Sequence, residues 1–136
     1  MKKITIGKQI LLFLTLFFLA GCGNGKVQLG GKVTFDDGTP LTVGTVVFST
    51  ETYSAKGNID ANGKYVMGSI STNDGLPTGK YKVYIEGATE EVAGKSGESS
   101  RSLIDVKYSN YNTTPLSCEV PVAGNSFDIH VPKFKN

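Results

Sequence analysis

The sequence predicts an all-β sandwich, and three observations carry that prediction. Beyond residue 22, apolar residues recur at every second position in short runs, as in Val33/Phe35, Tyr81/Val83/Ile85 and Phe127/Ile129/Val131. Clusters of Gly, Asp, Asn and Pro punctuate these runs at short intervals. No stretch of that region sustains a period of 3.6. Short alternating strands with turn chemistry between them are the signature of a two-sheet sandwich, one face of each sheet wet and the other dry.

The N-terminus has a different composition. Lys2, Lys3 and Lys8 precede an apolar run from Ile10 to Ala20, the positive and hydrophobic regions of a secretory leader. The run has 11 residues, whereas a membrane span needs about 20. Small residues then lead into a cysteine. Leu19-Ala20-Gly21-Cys22 resembles the lipobox of bacterial lipoproteins, which implies cleavage before Cys22, acylation of its thiol by diacylglycerol and palmitate-type chains, and a new N-terminus there. Residues 1–21 are thus expected to be a lipoprotein signal peptide, 22–26 the lipidated cysteine and a short tether, and 27–136 the sandwich domain. An ordinary secretory signal would leave Cys22 a plain thiol.

Cleavage changes the charge. The full chain has 14 basic and 12 acidic residues. Three lysines depart with the leader, so eleven basic residues face twelve acidic ones and the formal charge is about −1. The basic residues that remain are dispersed, which gives no reason to expect a nucleic-acid partner. With Cys22 lipidated, Cys118 has no intramolecular partner, and the fold must rest on burial and hydrogen bonding.

Taken in order, a strand carries Val33 and Phe35, alternating with Lys32 and Thr34. Asp36-Asp37-Gly38-Thr39-Pro40 turns the chain. Thr45-Val46-Val47-Phe48 is a β-branched run. Tyr53 to Ile59 places Ala55, Gly57 and Ile59 on one face. Asp60-Ala61-Asn62-Gly63 reverses the chain into Lys64-Tyr65-Val66-Met67, and this pair is expected to form a β-hairpin. Residues 69–79 are polar and turn-rich. Tyr81, Val83 and Ile85 alternate with Lys80, Lys82, Tyr84 and Glu86. Residues 88–102, rich in Gly, Ser, Glu and Lys, read as a long mobile loop. An irregular stretch over 103–112 places Tyr108 and Tyr111 over one end of the core. Two strands close the domain, one with Leu116, Cys118 and Val120 inward and one with Phe127, Ile129 and Val131 inward.

Several blocks resemble a known family. Gly31-Lys32-Val33, Asp37-Gly38-Thr39-Pro40-Leu41 and Gly44-Thr45-Val46-Val47-Phe48 are similar to the opening of carboxypeptidase regulatory-like domains. Ile59-Asp60-Ala61-Asn62-Gly63-Lys64-Tyr65 resembles that family's Asp-x-x-Gly-x-Tyr hairpin, and Leu76-Pro77-Thr78-Gly79-Lys80-Tyr81-Lys82-Val83-Tyr84-Ile85 its Leu-Pro-x-Gly-x-Tyr-x-Val strand. The segment from Thr114-Pro115-Leu116 to Gly124-Asn125-Ser126-Phe127-Asp128-Ile129 resembles the ending of small lipoproteins of planctomycete-like bacteria. The resemblance implies a single seven-stranded, prealbumin-like (transthyretin-like) Greek-key sandwich. It transfers no catalytic residue.

The search for chemistry yields little. Asp128 and His130 lie on one face of the last strand, but a hydrolase needs a nucleophile against them. No His/Cys cluster has metal-ligand spacing. Asp36, Asp37, Asp60, Asn62, Asn73 and Asp74 sit in turns, where local hydrogen bonding explains them; the Asp60 turn lacks the later Glu of a calcium loop. Cys118 is expected inside as a small hydrophobe. Tyr53, Tyr84, Tyr108 and Tyr111 are not committed to the core, and Tyr108 and Tyr111 form the candidate ligand-binding rim.

The expected protein is a non-enzymatic, cofactor-free lipoprotein of the cell envelope, on the outer membrane and facing either the periplasm or the exterior. Its partner is an envelope protein met through residues 88–102 or an exposed sheet edge. The alternative is a membrane-anchored carbohydrate-binding module using Tyr108 and Tyr111.

Overall fold

The computed structural model describes residues 25–69, 71, 73–94 and 97–135. Residues 1–21, expected to be a leader, and Cys22 lie outside the described residues. The described chain is all-β. Its strands are β1 (Lys26–Val27), β2 (Gly30–Phe35), β3 (Thr45–Ser49), β4 (Ser54–Asn58), β5 (Lys64–Val66), β6 (Leu76–Pro77), β7 (Gly79–Glu86), β8 (Thr89–Gly94), β9 (Gly97–Ser102), β10 (Leu116–Val120) and β11 (Ile129–Val131). Single 3-10 turns occupy Val106–Ser109 and Ala123–Asn125. Among the described residues, no helix is long and apolar enough to cross a membrane.

Two sheets face one another. One has four strands in the order β10-β7-β3-β4, all antiparallel. The other has three, β11-β2-β5, in which β11 runs parallel to β2 with Ile129 opposite Val33 and Val131 opposite Phe35. The alternation read in the sequence fills the space between them. Val46, Phe48, Tyr81, Val83, Ile85, Cys118 and Val120 come from the first sheet, and Val33, Phe35, Tyr65, Ile129 and Val131 from the second. Each fully buried side chain of this size contributes about 1.5–3 kcal/mol, so the inward face of β7 alone outweighs any surface ion pair. Phe48 anchors an aromatic cluster, edge-on to Phe127 at 5.8 Å and tilted against Tyr81 at 6.0 Å.

Two elements differ from expectation. The turn at residues 60–63 forms, with Gly63 N bonding Asp60 O. The strands it joins, however, enter different sheets: β4 pairs with β3, and β5 with β2. Beyond the turn, Lys56 and Gly68 exchange two backbone bonds and Gly57 lies against the Val66 carbonyl. The inward residues of the two strands, Ala55 and Gly57 on β4 and Tyr65 on β5, then line the core from opposite sheets. The second correction concerns residues 88–102. Within them, residues 89–94 and 97–102 form an antiparallel ribbon, β8 paired with β9 from Thr89–Ser102 to Gly94–Gly97, rather than a loop. Neither face of this ribbon packs on the core, so its sequence carries no apolar alternation to read.

The registers give the sandwich two poles. At the first lie the β1–β6 pair, Ser69, Ser71 and residues 73–75, the bend after β3 and the segment from Pro121 to Ser126, which bridges Gly30. At the second lie the 36–44 turn, the β8–β9 ribbon and the C-terminal residues, tied in by the Ile104–Lys133 bridge and by Phe134 N bonding Leu103 O.

Candidate functional site

The second pole carries the most distinctive surface. The β8–β9 ribbon stands out from the sandwich with Glu90 and Arg101 ion-paired across its base. Beside that base is a cleft of about 310 Å³ walled by Phe35, Leu41, Leu103 and Phe134 and edged by Arg101 and Lys133. Phe134 is 45% exposed. Lys133 reaches Asp37 at 2.5 Å and lies over the Phe35 ring at 5.1 Å. The Lys133 ammonium, then the Thr39 hydroxyl and amide, hold the Asp37 carboxyl well below the usual carboxylate range. An apolar slot with fixed charges at its lip, next to a ribbon with free edges, is suited to a peptide or protein surface.

A second cleft of about 430 Å³ opens where β4 and β5 diverge. Lys56, Asn58, Lys64, Ser69, Ser71 and Asn73 line it. Gly57 sits at its floor because a Cβ there would lie 2.6 Å from the Val66 carbonyl. Lys56 is committed to Glu86 at 2.8 Å, and that carboxylate raises its pKa. Asp60 is committed to the turn: its carboxylate accepts from Lys64 N at 2.9 Å and Asn62 N at 2.8 Å, which lowers its pKa.

Tyr108 and Tyr111 stand half-buried and line neither cleft. Tyr108 packs on the core from the 3-10 turn. Lys107 Nζ lies 5.1 Å from its ring centre, and Lys82 Nζ lies 4.7 Å from that of Tyr111. A sugar stacking on either ring would compete with a lysine for the same π face. Tyr53 also packs on the core, edge-on to Tyr81 at 6.3 Å.

His130 is exposed, with Nδ1 2.6 Å from the Thr34 hydroxyl. The Asp128 carboxylate serves the neighbouring strand, accepting from Lys32 N at 3.0 Å. The sequence pairs Asp128 with His130 by spacing, but the carboxylate is used to clip β11 to β2. Cys118 is 6% exposed, facing the core, and burial pushes its thiol pKa up. Among the described residues, no group of three or more His, Cys, Asp or Glu is placed to hold a metal.

No family model matches the chain, and the curated proteins and solved structures compared with it return no match. The reading therefore rests on geometry.

Asp74 makes the local hydrogen bonds expected of a turn carboxylate, and its long-range partner Lys26 is what sequence reasoning missed. Asp74 takes Lys26 Nζ at 2.6 Å, Ser69 N at 2.5 Å and Ser71 N at 3.1 Å. Lys26, assigned to the tether on sequence, is in fact the first residue of β1, pairing Pro77 while Val27 pairs Leu76. The signal for the local bonds was present in the Ser-x-Ser-x-Asn-Asp pattern of 69–74, a self-bonding loop type.

Proposed function

We propose that the protein is a non-enzymatic lipoprotein of the cell envelope, held through acylated Cys22, whose sandwich is a structural or protein-interaction module. The observation that carries this reading is polarity. The chain enters at the first pole through β1, while the ribbon and its apolar cleft occupy the second. A module tethered at one end and shaped at the other is built to present a surface. The finer assignment, a carboxypeptidase regulatory-like domain with a seven-stranded, prealbumin-like Greek key, is supported by the four-plus-three strand arrangement and the motif order. Outer-membrane placement follows from Gly23 after the cysteine, in place of an inner-membrane retention Asp.

The test has two arms. Cys22→Ser should abolish acylation and move the protein out of the detergent phase; a variant still bound to membrane overturns the anchor. Photo-crosslinkers at Val92 and Ser99 should trap a defined envelope protein in cells, and one at Thr52 should not. Saturable binding on a glycan array, lost in Tyr108→Ala and Tyr111→Ala, would replace this reading with a carbohydrate-binding one.

A further inference from the structure

We propose that the first pole is a docking face for the bilayer itself: the domain stands on the lipid headgroup layer with β1, Ser69, Ser71, residues 73–75, the 50–53 bend and the 121–126 segment downward, and the β8–β9 ribbon pointing away. This rests on lipidation at Cys22 and goes beyond it, because a lipid anchor alone leaves a domain free to tumble on its tether.

Reach is the first argument. From Cys22 to Lys26 the chain has four Cα steps, at most about 14 Å when fully extended. Lys26 is no loose end. Its backbone pairs with Pro77 and its ammonium is ion-paired to Asp74, both side chains about one-fifth exposed. The tether therefore ends at a fixed point, and the surface around that point cannot leave the headgroup region. The opposite end of β7 lies about 25 Å away, eight residues at ~3.3 Å each.

Surface chemistry is the second argument. Around β1 the described residues are hydroxyl- and amide-bearing: Thr50, Thr52, Ser71, Asn73, Asn125 and Ser126. Lys26 and Asp74 cancel one another, the exposed Lys80 and Glu119 are register partners one position in from the pole, and Glu51 is the charge on the 50–53 bend. Neutral polar groups exchange water for phosphate and glycerol oxygens at little cost, whereas unpaired charges would have to be desolvated. The second pole holds Asp37, Glu90, Glu98, Arg101, Lys107 and Lys133, most of them in ion pairs. The docking face is thus the electrically quiet end, and it should sit on zwitterionic lipid as readily as on anionic lipid.

The experiment uses the acylated full chain, in a Cys118→Ala background, reconstituted into phosphatidylcholine vesicles carrying a gadolinium-chelating headgroup lipid. Single nitroxide labels are placed at Ala123→Cys and Thr52→Cys on the first pole and at Ser99→Cys and Val106→Cys on the second. Expected is relaxation enhancement several-fold stronger at Ala123 and Thr52 than at Ser99 and Val106, unchanged when a third of the lipid is phosphatidylglycerol. Equal enhancement at all four sites in protein that floats with the vesicles overturns the orientation and leaves the anchor standing. Protein that fails to float removes both. As a check on the pin, Asp74→Asn should shrink the difference between poles while flotation persists; a difference that survives intact shows that the β1 ion pair does not set the orientation and counts against the mechanism proposed.

Discussion

Asp74 gathers donors that would otherwise compete for solvent, among them Lys26 Nζ, the amide and hydroxyl of Ser69 and the amide of Ser71. The group is largely shielded, so Asp74→Ala strands an ammonium and two amides at once, and a loss of about 2 kcal/mol is expected. Urea unfolding followed by tyrosine fluorescence measures it. Tyr65 raises a similar case in the core. Burial pushes its phenol pKa up, and its hydroxyl donates to the Phe127 carbonyl, holding the chain just before β11. Tyr65→Phe should cost about 1 kcal/mol, a buried acceptor losing its donor. Asp60 predicts a pH effect. Its folded pKa is depressed, so its contribution to stability is present above the unfolded carboxylate value, near 4, and is lost as pH falls below it. Asp37 acts in the same direction through Lys133. Thermal melts between neutral and acid pH should show a shallower acid decline in Asp60→Asn than in the parent protein. Cys118, buried with a raised pKa, should react with a thiol reagent slowly in native protein and rapidly in denaturant.

Among the elements, legibility followed burial. The alternation in Tyr81-Lys82-Val83-Tyr84-Ile85 located β7 because one face of that strand is core, and the same signal located β3, β4, β10 and β11. The β8–β9 ribbon escaped because neither face is buried; backbone pairing and the Glu90–Arg101 ion pair hold it, and backbone pairing leaves no trace in side-chain pattern. The partnering of β4 and β5 escaped for another reason. A tight turn dictates reversal, but which sheet each strand joins depends on where the rest of the core sits, information carried by residues such as Val46 and Gly31 far along the chain. The second-pole cleft joins Phe35 to Phe134, and no local motif links them. Two element-level outcomes follow. Replacing residues 90–101 with a short Gly-Ser turn should leave the melting temperature within a few degrees, because the ribbon buries almost nothing, while removing the crosslinks expected at Val92 and Ser99. Gly31→Ala should be far more damaging, since its Cβ would overlap the Phe127 carbonyl and part β2 from the chain leading into β11. Circular dichroism melts on both variants separate the two behaviours.

For the molecule as a whole, the parallel seam between β2 and β11 has a consequence in time. Val33 and Ile129 are register partners though 96 residues apart, so the three-stranded sheet cannot close until nearly all the chain exists. Closing a loop of that length carries an entropic penalty before any contact rewards it, which places the domain among the slower folders of its size. At ribosomal rates of 5–20 residues per second, about ten seconds pass between synthesis of the two partners. Throughout that interval β2 has its β5 neighbour on one side and an open edge on the other. A chain ending at residue 128 should therefore remain unfolded, and a nascent chain stays pliable until β11 arrives to close the sheet that β2 and β5 began. Under the export proposed above, that delay would keep the chain threadable until it is across the membrane.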